Sequence, residues 1–138
     1  MGLRRRAREM ALQVLYQSEL TDVVATDVFE QFCDNFEFNK KAIPYGRQLV
    51  YGVTQHLEDV NGLIKKHAVN WRIERMSMID KCILRIAVFE MIHLEQVPES
   101  VAINEALEIA RRYSTDEAVP FINGILDAIH LSLKKTKD

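Results

Sequence analysis

The N-terminal segment concentrates positive charge in a chain that is otherwise acidic. Its first ten residues contain four arginines and one acid, whereas the rest of the chain has 14 Lys and Arg against 19 Asp and Glu. Guanidinium groups contact phosphate oxygens bidentately, so the chemistry to expect here is phosphate binding by Arg4, Arg5, Arg6 and Arg8. A solvated N-terminal end that binds nothing explains the charge equally well.

Tyr16 lies on the same side of the first predicted helix as the arginines. A helix from Arg4 to about Thr21 places an apolar stripe on one side, and residues eleven apart, such as Arg5 and Tyr16, share the opposite side. An aromatic ring among arginines suits unpaired bases, since each stacked base contributes roughly 1–3 kcal/mol. The alternative is that Tyr16 and its neighbour Leu12 pack beneath another helix.

Polar residues also interrupt helices that are otherwise apolar, and we interpret them first as structural. Asp80 is placed to cap the predicted central helix, while Arg85 and Glu90 are placed for ion pairs at its buried edge. Glycine inside a helix costs about 1 kcal/mol relative to alanine, which predicts a close backbone approach. The residues predicted as internal ties or close approaches are Asn104, Asn123 and Gly124.

Signatures of enzymes and of metal centres are scarce. The four histidines form no i, i+4 ligand pair with a nearby acid and cysteine, and no glycine-rich phosphate loop occurs. The isolated cysteines Cys33 and Cys82 are typical of buried thiols in a reducing cytoplasm. The sequence therefore predicts a binding module without a catalytic site, metal or cofactor.

The elements that must position these residues are helices. Apolar residues recur at helical spacing along nearly the whole chain, and no strand-like alternation appears. Ser77 with Asp80 predicts a capping box for the central helix. Ser100 is predicted to cap the next helix, and the last helix is predicted either to follow a cap at Ser114 or to begin at Pro120. This pattern predicts an all-α protein of about seven helices.

Composition and length fit one folded unit. The chain has 138 residues, of which 48% are hydrophobic and 28% charged, as in an ordinary globular protein. No apolar run approaches the roughly 20 residues of a membrane span, and no secretory signal follows the N-terminal charges. We therefore expect a single cytoplasmic domain over residues 1–138.

Four segments together carry a family resemblance. RRRAREMALQVLYQSEL at 4–20, DKCILRIAVFEM at 80–91, PESVAINEALEIARRYS at 98–114 and FINGILD at 121–127 resemble the NusB family of bacterial transcription antitermination factors. Their order and spacing match along essentially the full chain. A family of RNA methyltransferases carries a similar N-terminal domain, but this chain has no cofactor-binding glycine motif, so the stand-alone factor fits better.

The resemblance implies a fold and a function. The fold is two small helical bundles packed together, and the role is non-enzymatic, in transcription of ribosomal RNA operons. Members of the family bind the boxA element of nascent RNA, usually with the tenth small-subunit ribosomal protein. They then act on RNA polymerase together with other Nus factors.

The resemblance also implies which residues bind. RNA-facing positions of the family match Arg4, Arg5, Arg6, Arg8, Tyr16, Glu74, Asp116, Glu117 and Phe121, and a partner-facing acid matches Asp80. Core packing of Phe121 remains an equal alternative. Pro120 departs from the polar or basic residue of many relatives, which removes one candidate phosphate contact.

Our hypothesis is a clamp on a short single-stranded RNA, in which arginines hold phosphates and aromatic rings contact bases. Because few cations lie outside the N-terminal segment, binding by the chain alone should be weak and salt-sensitive, and a basic partner should dock on the acidic body. The alternative is a helical protein-interaction scaffold with nonspecific RNA affinity. Without its partner, the chain could also pair with a second copy.

Overall fold

The structure is a computed structural model that describes residues 2–35, 40–68 and 76–137. Within these ranges the chain forms seven α-helices and one short 3-10 turn, with no strand, which confirms the predicted all-α class. The helices are α1 (Leu3–Thr21), α2 (Ala25–Asn35), α3 (Ile43–Gln55), α4 (Leu57–His67), α5 (Met78–His93), α6 (Glu99–Tyr113) and α7 (Ala118–Lys137), and the 3-10 turn spans Lys40–Ala42. None of the helices described is long and apolar enough to cross a membrane.

The helices pack as two groups that share α5. Helices α1, α2 and α3 contact one another, while α4 and α6 lie against α5, and α7 packs on α4, α5 and α6. Helix α5 also contacts α1 and α3. Its residues are apolar on nearly all sides, and the buried ones include Leu84, Val88 and Phe89. This arrangement confirms the central helix and the two packed bundles expected from the sequence.

Helix α1 is buried over a wider arc than its apolar stripe predicts. The expected core residues Ala7, Met10, Ala11, Val14 and Leu15 are buried. Leu12, on the opposite side, is only 3% exposed. The reason is that α1 is flanked by α2 and α3 and also by α5, so little of its circumference is left open. For Leu12, packing beneath a neighbouring helix is therefore the correct interpretation.

The segment from Pro44 to His67, which the sequence presents as one periodic run, is two helices. The break lies at His56, where the backbone leaves the helical region (φ −111°, ψ 24°). His56 ends α3 through a bond from its N–H to the carbonyl of Gly52, and its own carbonyl accepts from Val60 N–H at the start of α4.

Side-chain hydroxyl groups cap the starts of two helices, α5 and α7. Ser77 accepts a hydrogen bond from Asp80 N–H at 3.1 Å, which confirms the predicted cap of α5. At α7 the capping hydroxyl belongs to Thr115, which accepts from Ala118 N–H at 3.2 Å. The predicted starts at Ser114 and Pro120 are both wrong, because the Ser114 hydroxyl is directed to the Asp80 carboxylate instead.

The predicted start of α6 and all three of the predicted internal positions are also wrong. Helix α6 begins at Glu99, after Pro98, so Ser100 lies inside it. Asn104 and Asn123 are exposed and tie nothing inside the core. Gly124 faces open space.

The close approach that requires glycine occurs at Gly52. A Cβ there would lie 2.0 Å from Cζ of the buried Phe89 ring, so α3 and α5 can meet only if this residue lacks a side chain. The Phe89 ring is thereby fixed beneath the junction of α3 and α4.

Candidate nucleic-acid interface

Three arginines occupy the first turn of α1, where positive charge is unfavourable. Arg4, Arg5 and Arg6 follow Gly2, which caps the helix without a side-chain hydrogen bond, and no acid is present in the turn. The helix macrodipole makes each such cation cost about 0.3–1 kcal/mol, while the free N–H groups of the turn attract anions. The arrangement therefore lowers the stability of α1 and provides a site for negative charge at its N-terminus.

Arg4 and Arg6 are the exposed members of this turn. The guanidinium of Arg4 lies 5.2 Å from the centre of the Tyr45 ring on α3, a cation–π contact that steadies it without neutralising its charge. Arg6 borders a groove described below. Both guanidinium groups can reach a phosphate from the surface.

Arg5 is held by an acid on α6. Its Nη2 lies 2.5 Å from Glu105 Oε2, and its Nε donates to both carboxylate oxygens at 3.1 and 3.2 Å. This hydrogen-bonded pairing raises the pKa of Arg5 and lowers that of Glu105. About 30% of the Arg5 side chain is exposed, so it meets solvent while its direction is fixed by Glu105.

Arg8 is buried, and this corrects its predicted role. Only 3% of its side chain is exposed, and its Nε donates to both oxygens of Glu90 on α5 at 3.0 and 2.9 Å. Its Nη1 also donates to Glu105 Oε1 at 3.1 Å. Burial disfavours the charged guanidinium, but the hydrogen bond and charge of Glu90 outweigh it and raise the pKa of Arg8. Because Arg8 joins α1 to α5 and α6, we do not include it among the RNA contacts proposed below.

Tyr45 completes this buried cluster. Its hydroxyl donates to the Glu90 carboxylate, and burial together with that bond raises the pKa of Tyr45. The Glu90 side chain, 1% exposed, thus accepts from Arg8 and Tyr45 and joins α5 to α1 and α3. The cluster fixes the base of the N-terminal arginine segment against both bundles.

Tyr16 lies half-buried in the wall of a groove of about 350 Å³ beside α1. Its other lining residues come from α1, α2, the 3-10 turn, α5 and α6: Arg6, Glu9, Met10, Leu12, Gln13, Phe32, Ala42, Ile79 and Tyr113. The groove combines aromatic rings, an apolar floor and a guanidinium at its edge, which are the groups that hold an unstacked base.

The α6 end of the groove is ordered by Glu9. The Tyr113 hydroxyl donates to Glu9 Oε2 at 2.6 Å, and Arg112 Nη1 lies 2.8 Å from the same oxygen. The bond to Glu9 raises the pKa of Tyr113, and it holds the Tyr113 ring, 48% exposed, at the groove. Tyr113 was not singled out from the sequence, because its distance from α1 in the chain hides the contact.

The remaining predicted RNA contacts lie around the turn between α6 and α7. Asp116 and Glu117 are exposed in this turn, shortly after Tyr113. Phe121 is half-buried in the first turns of α7 and packs against the core on one side. This placement is compatible both with core packing and with a contact to RNA. Glu74 lies outside the described residues.

Asp80 serves an internal contact. Its side chain accepts a hydrogen bond from Ser114 Oγ at 2.5 Å, and the residue is only 7% exposed. The bond ties the start of α5 to the end of α6, beside the groove residues Ile79 and Tyr113. A direct contact between Asp80 and a protein partner does not fit this burial, so we leave Asp80 out of the proposed partner surface.

Comparison with known proteins decides the family. Residues 5–130 match the NusB family. The chain belongs to the NusB family. Among NusB proteins, that of Desulfotalea psychrophila is 44% identical over 98% of this chain and all of its own length, and that of Bacillus subtilis is 38% identical over 96% and 98%. The resemblance inferred from the sequence is thereby confirmed.

Solved NusB structures share the fold. A T. maritima NusB superposes with a TM-score of 0.82 at 33% identity, covering 91% of this chain and 89% of that one. A chain from a crystal structure of the antitermination factors NusB and NusE with double-stranded RNA superposes with a TM-score of 0.84 at 28% identity, covering 96% and 98%. The helical architecture is therefore that of the NusB family.

The ion pairs of α5 join partners that the sequence did not predict. Arg85 and Glu90 are five positions apart, so they point in different directions around the helix. Arg85 Nη1 lies 2.8 Å from Glu19, and its Nε donates to Asn61 at 3.0 Å. Glu90 instead accepts hydrogen bonds from Arg8. The structure therefore does not pair Arg85 with Glu90, and the long-range partners of both residues carry no local signal in the sequence.

Proposed function

We propose that this chain is a transcription antitermination factor of ribosomal RNA operons. It binds the single-stranded boxA element of nascent RNA together with the tenth small-subunit ribosomal protein. The complex then acts on RNA polymerase with other Nus factors. The role is non-enzymatic, needs no cofactor and is carried out in the cytoplasm by a single domain. NusB proteins nearly 40% identical or more over almost the full chain support this proposal.

The observation that carries the RNA-binding part is the placement of first-turn arginines next to an aromatic groove. Arg4 and Arg6 are exposed at a helix N-terminus that favours anions, and Arg6 lines the same groove as Tyr16. In our proposal the two arginines and Arg5 contact phosphates, while Tyr16 stacks on a base. Phe121, with Asp116, Glu117 and Glu74, extends the contact along the RNA.

A basic partner fits the charge of the chain. The formal net charge is −2, although the first ten residues are strongly positive, so the rest of the surface repels RNA phosphates. A ribosomal protein docked on the acidic body would supply the missing positive surface and complete the RNA site. The solved complex of a NusB with NusE, the tenth ribosomal protein of the small subunit, is consistent with this partner.

Replacing Tyr16 with alanine tests the stacking contact. We expect affinity for boxA RNA to fall by about 5–150-fold, because one base–aromatic stack contributes roughly 1–3 kcal/mol. Tyr16→Phe keeps the ring and should bind within a factor of about two of the unchanged protein. Fluorescence anisotropy with labelled boxA RNA measures both affinities.

The melting temperature must be recorded for both variants, since Tyr16 also packs against the core. If Tyr16→Ala binds boxA RNA as tightly as Tyr16→Phe, the ring makes no base contact and only contributes packing. That result would remove the groove from the proposed RNA surface without affecting the role of the arginines.

A further inference from the structure

Two histidines and a carboxylate, from the junction of α3 and α4 and from the end of α5, meet at the surface. His56 joins α3 to α4, Asp59 lies in the first turn of α4, and His93 is the last residue of α5. One potential ligand atom from each lies within 4.8 Å of the others. Asp59 and His93 are exposed and His56 is half-buried, so an ion can reach the cluster from solvent.

We propose that His56, Asp59 and His93 form a binding site for a divalent transition-metal ion, with Zn²⁺ as the best fit. Imidazole nitrogen and carboxylate oxygen bind Zn²⁺ at about 2.0–2.2 Å, and three protein ligands with water in the fourth position are a common arrangement. Such bond lengths place neighbouring ligand atoms about 3.3–3.5 Å apart in a tetrahedral site. The distances between the three ligand atoms, now up to 4.8 Å, therefore have to shorten by little more than an ångström.

The surroundings allow this contraction. The two imidazole rings now stack with their centres 3.9 Å apart, and an ion bound in the plane of both rings requires them to turn about their side-chain bonds. The exposed His93 ring has room to turn. The buried Phe89 ring lies behind both histidines, with centres 6.0 Å from His56 and 5.4 Å from His93. Because Gly52 lets Phe89 pack closely against α3, the Phe89 ring forms a fixed wall behind the two histidines.

Occupation of the site would add a further connection between elements that already share the bond from Arg85 to Asn61 and the bond from Tyr45 to Glu90. His56 and Asp59 are three residues apart at the start of α4, while His93 comes from the end of α5, so the ion closes a long loop of chain. An ion that binds the folded chain alone raises its melting temperature with the logarithm of the metal concentration. None of the three ligand residues is among the proposed RNA contacts, so metal binding is measured without RNA.

The experiment is a titration of the full chain with Zn²⁺, followed by isothermal calorimetry and by melting temperature. We expect one ion per chain and a melting temperature that rises with zinc concentration. His93→Ala should weaken binding at least tenfold, and Asp59→Asn should weaken it by a smaller factor. His67→Ala is the matched control, because its imidazole is bonded to the carbonyl of Leu63 outside the cluster.

All variants are made in a Cys33→Ser background, so that the half-buried thiol cannot supply the ligand. A Co²⁺ titration gives a second readout, since nitrogen and oxygen ligands produce weak visible bands without the intense near-ultraviolet band of a thiolate. The proposal is overturned if the unchanged chain binds no Zn²⁺ at millimolar concentration. It is equally overturned if the double variant His56→Ala/His93→Ala binds as tightly as the His67→Ala control.

Discussion

Replacing Glu90 with glutamine is expected to lower the free energy of unfolding by about 3–5 kcal/mol, since it leaves the Arg8 cation buried without its main counter-charge. For a chain of this size that corresponds to a fall in melting temperature of roughly 10–20 °C. Glu90 is 1% exposed and accepts hydrogen bonds from both Arg8 and Tyr45, so water cannot replace the lost charge. Chemical denaturation and thermal unfolding measure the change.

Two further variants show whether the cause is the unpaired charge. Arg111→Ala removes an arginine whose pair with Glu108 is half-exposed, and it should change stability by less than about 1 kcal/mol. The triple variant Arg8→Met/Glu90→Met/Tyr45→Phe removes the Arg8 cation together with both polar groups around Glu90, leaving Glu105 paired with Arg5, and should recover most of the stability lost in Glu90→Gln. If Glu90→Gln unfolds like the unchanged protein, the cluster is not a stabilising connection between the bundles.

Replacing Arg4 and Arg6 together with glutamine is expected to weaken RNA binding in a salt-dependent way. Each phosphate contact to single-stranded RNA contributes about 0.7 to the slope of log affinity against log salt, so the slope should fall by about 1.4. If the variant and the unchanged protein bind RNA equally at 1 M salt, this difference in slope makes the variant bind about 25-fold more weakly at 0.1 M salt. Arg4 and Arg6 are chosen because they are exposed, whereas Arg5 is held by Glu105 and Arg8 is buried.

Lys65→Gln/Lys66→Gln is the matched control for this pair. It removes two exposed positive charges at the end of α4, so the net charge changes equally. We expect its salt slope to stay close to that of the unchanged protein. Equal losses in the two double variants would mean that RNA responds to net charge and does not contact the N-terminal arginines.

Much of the fold could be predicted from the sequence because its signals are local. The apolar spacing of α1, the nearly all-round apolarity of α5 and the Ser77 cap each depend on residues within a few turns of one another. The same reasoning failed at α7, where Ser114 has two competing partners. Its hydroxyl bonds the Asp80 carboxylate, 34 positions away, and the cap passes to Thr115.

The candidate site shows the same limit. Helical periodicity placed Arg8 among the surface arginines, but it could not reveal that Glu90, 82 positions later, would bury it. Tyr113 and the cluster of His56, Asp59 and His93 were missed for the same reason, since tertiary packing alone brings their parts together. Arg4, Arg6 and Tyr16 could be proposed together from the sequence because the first helix carries all three.

The central claim is specific RNA binding assisted by a ribosomal protein, and one anisotropy titration tests it most directly. Labelled boxA RNA and a scrambled RNA of equal length are titrated with the chain, with and without the tenth small-subunit ribosomal protein. We expect tighter binding to boxA, and a further gain for boxA when the partner is present. Equal, weak and salt-sensitive binding to both RNAs, unchanged by the partner, would contradict the claim and favour a helical scaffold with nonspecific RNA affinity.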